Sequence, residues 1–128
     1  MIKGVTQEPY IGIELHQDTK RKIEEYILSK VHSQCKKNEW FFFKDIFGKE
    51  NSDWRGTSLQ PIFEYYYNIE KGQEEDRTQK AMNNARKIGG LFLKKVLYTD
   101  QRVYEQGDEI RQERNNSFTV LKYMWVDE

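Results

Sequence analysis

Lys80, Asn83, Lys87, Gly90 and Lys94 follow one another at intervals of three, four, three and four residues. At about 100° per residue, that spacing draws a straight stripe along one face of a helix. The chemistry it offers is recognition of a polyanion. Three ammonium groups would meet phosphates, the Asn83 amide would hydrogen-bond a base or sugar, and Gly90 would let another backbone come close. Arg77, Arg86 and Lys95 flank the stripe, Tyr98 lies just beyond it as a candidate for stacking on a base, and Arg102 and Arg114 stand on its periphery. No acidic residue occurs between positions 77 and 99. An ordinary solvated helix face mixes signs to gain i,i+4 pairs, so this one-sided charge favours a binding role over simple solubility.

Other chemistries find little to build on. The two histidines, His16 and His32, are far apart. His32 and Cys35 stand three apart on a helix end, but no second Cys or His pair completes a zinc set. Phosphate-binding glycine loops and the nucleophile-elbow pattern are absent. The expectation is a binding protein, not an enzyme, with no cofactor and no metal. Tyr65-Tyr66-Tyr67 could stack on unpaired bases, yet helical geometry assigns Tyr66 to the core and Tyr67 to its edge, leaving Tyr65 outward.

The elements that must position these residues fit one domain of 128 residues. Eighteen aromatic residues, three Trp, eight Tyr and seven Phe, bring large buried areas that compensate for a modest aliphatic content. The single cysteine allows no internal disulfide, which suits a reducing compartment. No apolar stretch approaches the ~20 residues a bilayer span needs, and Met1-Ile2-Lys3-Gly4 lacks the apolar run of a signal peptide. A cytoplasmic location with no membrane partner is therefore expected. Net charge is zero, but residues 77–102 carry seven basic residues against one acid, while residues 38–76 carry four against nine. A neutral chain with its charge so divided can still present a basic face.

Alternating Ile11, Ile13 and Leu15 predict a short strand over Tyr10–Leu15. Asp18 or Thr19 is expected to cap a helix running to about Gln34, with Ile23, Tyr26, Ile27 and Val31 inward. Trp40–Phe43 reads as a strand, Lys44–Phe47 as a helical turn stopped at Gly48, and 49–57 as a loop containing Trp54. Thr57 or Ser58 would cap a helix over about 58–71, with Pro61 in its first turn and Leu59, Ile62, Phe63, Tyr66 and Ile69 buried. After an acidic loop to Asp76, the clearest helix runs over about Arg77–Leu97 on a core face of Ala81, Ala85, Ile88, Phe92 and Val96. Gly89 sits near that core face, where close packing would offset its cost of about 1 kcal/mol. Two strands follow around Arg114-Asn115-Asn116-Ser117, with Asn-Asn as the tight turn. The second, Phe118–Val126, is apolar on both faces and is expected to be well buried. The fold class is α+β and winged-helix-like: helices followed by a C-terminal hairpin wing, with the helix before it as recognition helix.

The run Trp40-Phe-Phe-Phe-Lys-Asp-Ile-Phe-Gly48, then Trp54, then Ala85-Arg-Lys-Ile-Gly-Gly-Leu-Phe-Leu-Lys-Lys-Val96 resembles small winged-helix proteins of Gram-positive mobile elements and phages. The resemblance falls within residues 40–96, on short and mostly structural motifs. It implies a winged-helix fold, and, from members in the replication modules of staphylococcal cassette chromosomes, single-stranded DNA binding. One departure is plain. Thirty residues separate Trp54 from Ala85, where the family pattern has a much shorter connection. They carry the extra helix at about 58–71 and the acidic Glu74-Glu75-Asp76.

Two expectations about function follow. The first is a nucleic-acid-binding accessory protein of a mobile element or phage, with single-stranded DNA preferred. The second is a protein-binding inhibitor or adaptor, such as a phage factor against host defence, whose acidic segments imitate DNA and whose contacts include Glu74, Glu75 and Asp76.

Overall fold

The structure is a computed structural model that describes residues 1–48 and 54–128. It is an α+β fold. Helix α1 (Gln17–Gln34), strand β1 (Trp40–Phe42), and helices α2 (Phe43–Phe47), α3 (Gln60–Ile69) and α4 (Glu74–Thr99) precede a hairpin of β2 (Val103–Glu113) and β3 (Asn116–Asp127). The three strands form one antiparallel sheet in the order β1-β3-β2. Phe41 lies opposite Tyr123, and Tyr123 opposite Gln106.

The core gathers Ile23, Ile27 and Val31 of α1, Ile46 and Phe47 of α2, Leu59, Ile62 and Phe63, and Ala81, Ala85, Ile88, Phe92 and Val96 of α4. Phe41, Tyr104 and Tyr123 close it from the sheet, and burial pushes the Tyr104 and Tyr123 hydroxyls well above the ordinary phenolic range. The inward faces expected for α1 and α4 are therefore observed. Phe43 lies 4.8 Å from Phe47 and 6.0 Å from Trp54, ring centre to ring centre, and Gly89 fits against both Phe43 and Trp54. The aromatic run, the lone tryptophan and the helix glycine thus form one packing unit.

Several expectations are corrected. Tyr10–Leu15 is not a strand; Ile13 is buried and Ile11 and Leu15 are half-buried while Gly12 and Glu14 are exposed, but no strand among the described residues pairs with the segment. Its alternation records burial without a ladder. Helix α1 starts at Gln17, where His16 Nδ1 accepts the Asp18 N–H at 3.2 Å, instead of being capped by Asp18 or Thr19. Helix α3 spans 60–69 within the expected 58–71; Thr57 Oγ1 accepts the Leu59 N–H one step ahead of it. Ile69, placed inward by periodicity, is 57% exposed because the helix ends there, and Tyr65, Tyr66 and Tyr67 are all half-buried. Of the expected 49–57 loop, residues 49–53 lie outside the described residues.

Helix α4 begins at Glu74, three residues earlier than expected, so Glu74, Glu75 and Asp76 form its first turn instead of a loop. Carboxylates there complement the positive end of the helix dipole. The hairpin turn is Arg114-Asn115, with Arg114 at φ 57°, one residue ahead of the expected Asn-Asn. Strand β3 is not well buried along its length. Phe118 and Leu121 are exposed because β1 pairs only with Lys122–Met124, so nothing among the described residues extends beside the distal half of the hairpin.

Candidate nucleic-acid interface

Helix α4 has one face in the core and one outside. Ala81, Met82, Ala85, Ile88, Gly89, Phe92, Leu93, Val96 and Leu97 are buried. The opposite side carries Lys80, Asn83, Arg86 and Lys87 exposed, then Gly90 and Lys94 half-exposed. From Lys80 to Lys94 the row is about 21 Å long. The stripe drawn by the spacing is therefore brought together on one surface.

Its charges stand free. Among the described residues no acid forms an ion pair with Lys80, Arg86, Lys87 or Lys94. Asn83 Oδ1 accepts from Gln79 Nε2 at 3.1 Å, and the Asn83 amide N–H groups have no acceptor among the described residues. A Cβ built on Gly90 would meet no atom within 4 Å. Nothing among the described residues requires a glycine there, whereas Gly89, one residue earlier, has no room for a side chain. Arg86 shares a shallow groove along α4 with Glu74, Glu75, Gln79 and Met82, so acids lie at one end of the row.

Four flanking residues are occupied by partners within the chain. Lys95 Nζ sits 2.7 Å from Glu24 Oε1 and joins α4 to α1. The Arg77 guanidinium lies 3.8 Å over the Tyr67 ring, and its Nε donates to the Tyr67 carbonyl at 2.9 Å, tying α4 to α3. Arg102 stacks 3.7 Å over Trp125. Tyr98 packs on the core and donates its hydroxyl to the Thr6 carbonyl at 3.3 Å, so its ring is not a free stacking platform. Arg114 is exposed at the hairpin tip, the far end of an eleven-residue strand from α4. Glu74 accepts from Tyr67 and Thr78; the Tyr67 hydroxyl is raised above its ordinary value chiefly by that bond.

The outer face of the sheet carries a cluster that no spacing in the sequence announces. Trp40 lies beneath the Lys122 ammonium at 4.8 Å and Phe42 beneath the Arg111 guanidinium at 4.5 Å. Gly107 leaves the space that Trp40 and Lys122 fill. The pairs become visible only once the register of β1, β3 and β2 is known. Glu109 reaches both cations, 3.3 Å from Lys122 and 3.8 Å from Arg111, so this face offers aromatic surface with its charge already balanced.

The His32 Nε2–H donates to Asp100 Oδ2 at 2.7 Å, and burial pushes the Cys35 thiol up to about 12. Among the described residues no group of three or more His, Cys, Asp or Glu side chains is placed to hold a metal ion, and no helix is long and apolar enough to cross a membrane. No protein-family model, curated protein or solved structure matches the chain.

Proposed function

We propose that the protein is a winged-helix-type nucleic-acid-binding accessory factor that holds single-stranded DNA along the outward face of α4. The observation that carries this reading is the row of four cations, Lys80, Arg86, Lys87 and Lys94, without an ion-pair partner among the described residues, beside an α4 surface left open at Gly90. Cations without internal partners keep their full charge for phosphates, and the release of counterions from those phosphates supplies the affinity. The placement of β1 beside the returning strand of the hairpin, with the longest helix just before that hairpin, supports the winged-helix assignment. The likeness of residues 40–96 to mobile-element and phage proteins points to the same setting.

Acid-driven mimicry of DNA receives less support. Glu74, Glu75 and Asp76 have a structural task at the start of α4, and Glu74 is bonded to Tyr67 and Thr78. The test is fluorescence anisotropy with labelled single- and double-stranded oligonucleotides at about 50 and 200 mM salt. The expected result is salt-sensitive binding, tighter for single strands, that falls at least tenfold on combining Lys87→Glu with Lys94→Glu. Absence of binding to either form at low salt overturns the proposal, and binding unaltered by the double reversal removes α4 from it.

A further inference from the structure

Strand β2 is the outer strand of the sheet, and most of its outer edge is bare. At its start the N-terminal segment covers it: Tyr104 N–H donates to the Met1 carbonyl, and Lys3 N–H to the Tyr104 carbonyl. Beyond that point no backbone bond among the described residues reaches the outer edge of residues 106–113. Outward-pointing groups alternate along a strand. Since Tyr104 points outward, Gln106, Asp108, Ile110 and Gln112 present free N–H and C=O groups there. Proteins ordinarily blunt so long an edge with proline, charged side chains or a bulge. Residues 106–113 contain no proline, the irregularity of the strand lies at Val103/Tyr104, and Ile110 is 76% exposed. The charges, Asp108, Glu109, Arg111 and Glu113, are of both signs, so they repel another strand only in the registers that set like against like.

We propose that this edge pairs with β2 of a second copy of the chain, antiparallel about a two-fold axis at Ile110. The charges of the strand select that axis. Because only Gln106, Asp108, Ile110 and Gln112 offer bonds to the edge, the axis must pass through a residue. Placed at Ile110, it sets Glu109 of each copy opposite Arg111 of the other, Asp108 opposite Gln112, and Ile110 against its own counterpart. Moved to Glu109, Arg111 or Asp108, it sets that charge directly against itself, which destabilises a cross-strand pair. Moved to Gln112, it runs the pairing off the end of the strand; moved to Gly107, it sets Glu105 against Glu109; and moved to Gln106, it meets the edge that Met1 and Lys3 already cover at Tyr104. At Ile110 the edge carbonyls and amides of 108, 110 and 112 are satisfied, the exposed isoleucine is covered, and each Glu109, which within its own chain reaches Lys122 and Arg111, is set beside the other copy's Arg111 as well. The two sheets then continue as one across six strands. This surface is separate from the α4 stripe, so its fate and that of the DNA-binding reading are decided independently.

Sedimentation of the full chain over about 1–100 µM tests it. The wild type is expected to be a dimer. Glu109→Lys and Arg111→Glu each place like charges opposite one another twice and are expected to sediment as monomers with unchanged circular dichroism. An equimolar mixture of the two variants restores an opposite-charge pair at both positions and is expected to dimerise again. A variant that merely misfolds could not be rescued in this way. Ile110→Pro removes the central donor while an edge strand tolerates proline, and is expected to be monomeric. A monomeric wild type, single reversals that remain dimeric, or a mixture that stays monomeric would each overturn the proposal.

Discussion

An alanine Cβ at position 89 would stand 2.7 Å from Phe43 Cζ and 3.0 Å from Trp54 Cη2, whereas one at position 90 would meet nothing within 4 Å. Replacing a mid-helix glycine by alanine gains about 1 kcal/mol when space allows. Overpacking a filled core costs about 1–3 kcal/mol. Gly90→Ala is therefore expected to stabilise the protein by about 1 kcal/mol, or about 4 °C in Tm for a domain of this size. Gly89→Ala is expected to be neutral to about 2 kcal/mol destabilising, because Phe43 and Trp54 must move. Thermal melts of the two variants check the contrast. Under the proposed function, Gly90→Ala also weakens DNA binding despite the gain in stability. A variant that is stabler and binds equally well would show that Gly90 serves no approaching backbone. The spacing of the sequence distinguished the roles of the two glycines, one near the core face and one away from it. It could not show that Arg77, Lys95 and Arg102 are engaged, because their partners Tyr67, Glu24 and Trp125 come from other elements.

Elements are joined most tightly where α4 ends. The Asp100 carboxylate accepts from the Tyr104 hydroxyl at 2.6 Å, the His32 imidazole at 2.7 Å and the Gln101 N–H at 2.8 Å, linking α4 to β2 and α1. The Met1 ammonium donates to the carbonyls of Leu97, Asp100 and Arg102 beside it, where the helix dipole favours a cation. Burial opposes the Asp100 charge, but the bonds from Tyr104, His32 and Gln101 outweigh it and hold the carboxyl below its usual range. A depressed carboxylate contributes stability that is present above the unfolded value, about 3.9, and is lost as pH falls through the lower folded one. Asp100→Ala is expected to cost about 1–3 kcal/mol at pH 7, since it strands the buried Tyr104 hydroxyl. The gap from wild type should narrow below about pH 4. Urea denaturation at pH 7 and pH 3 measures both; an equal gap at the two values would mean the charge contributes nothing. Periodicity made α1 and α4 legible, for a helix prints its core face every three or four residues. Strands were harder. Ile11, Ile13 and Leu15 alternate as a strand does yet pair with none among the described residues, and Phe118 and Leu121 look buried until the shortness of β1 is known.

Across the whole molecule the net charge is zero, so the overall charge draws no polyanion to the protein, and affinity must come from the basic face itself. That makes the salt dependence a count of the cations in use. For single strands, log K falls with log salt by about 0.7 per phosphate neutralised. If only Lys80, Arg86, Lys87 and Lys94 are available, the slope is expected near −3, a loss of about fifty-fold between 50 and 200 mM salt. If the whole basic block of seven residues from 77 to 102 took part, the slope would approach about −5. Alanine at Lys80 or Lys87 should flatten the slope by about 0.7. Alanine at Arg77, Lys95 or Arg102 should leave it unchanged, because those side chains already hold Tyr67, Glu24 and Trp125. A slope near −5, or one that responds to Lys95→Ala, would mean that Glu24 releases Lys95 on binding and that the interface reaches from α4 towards α1.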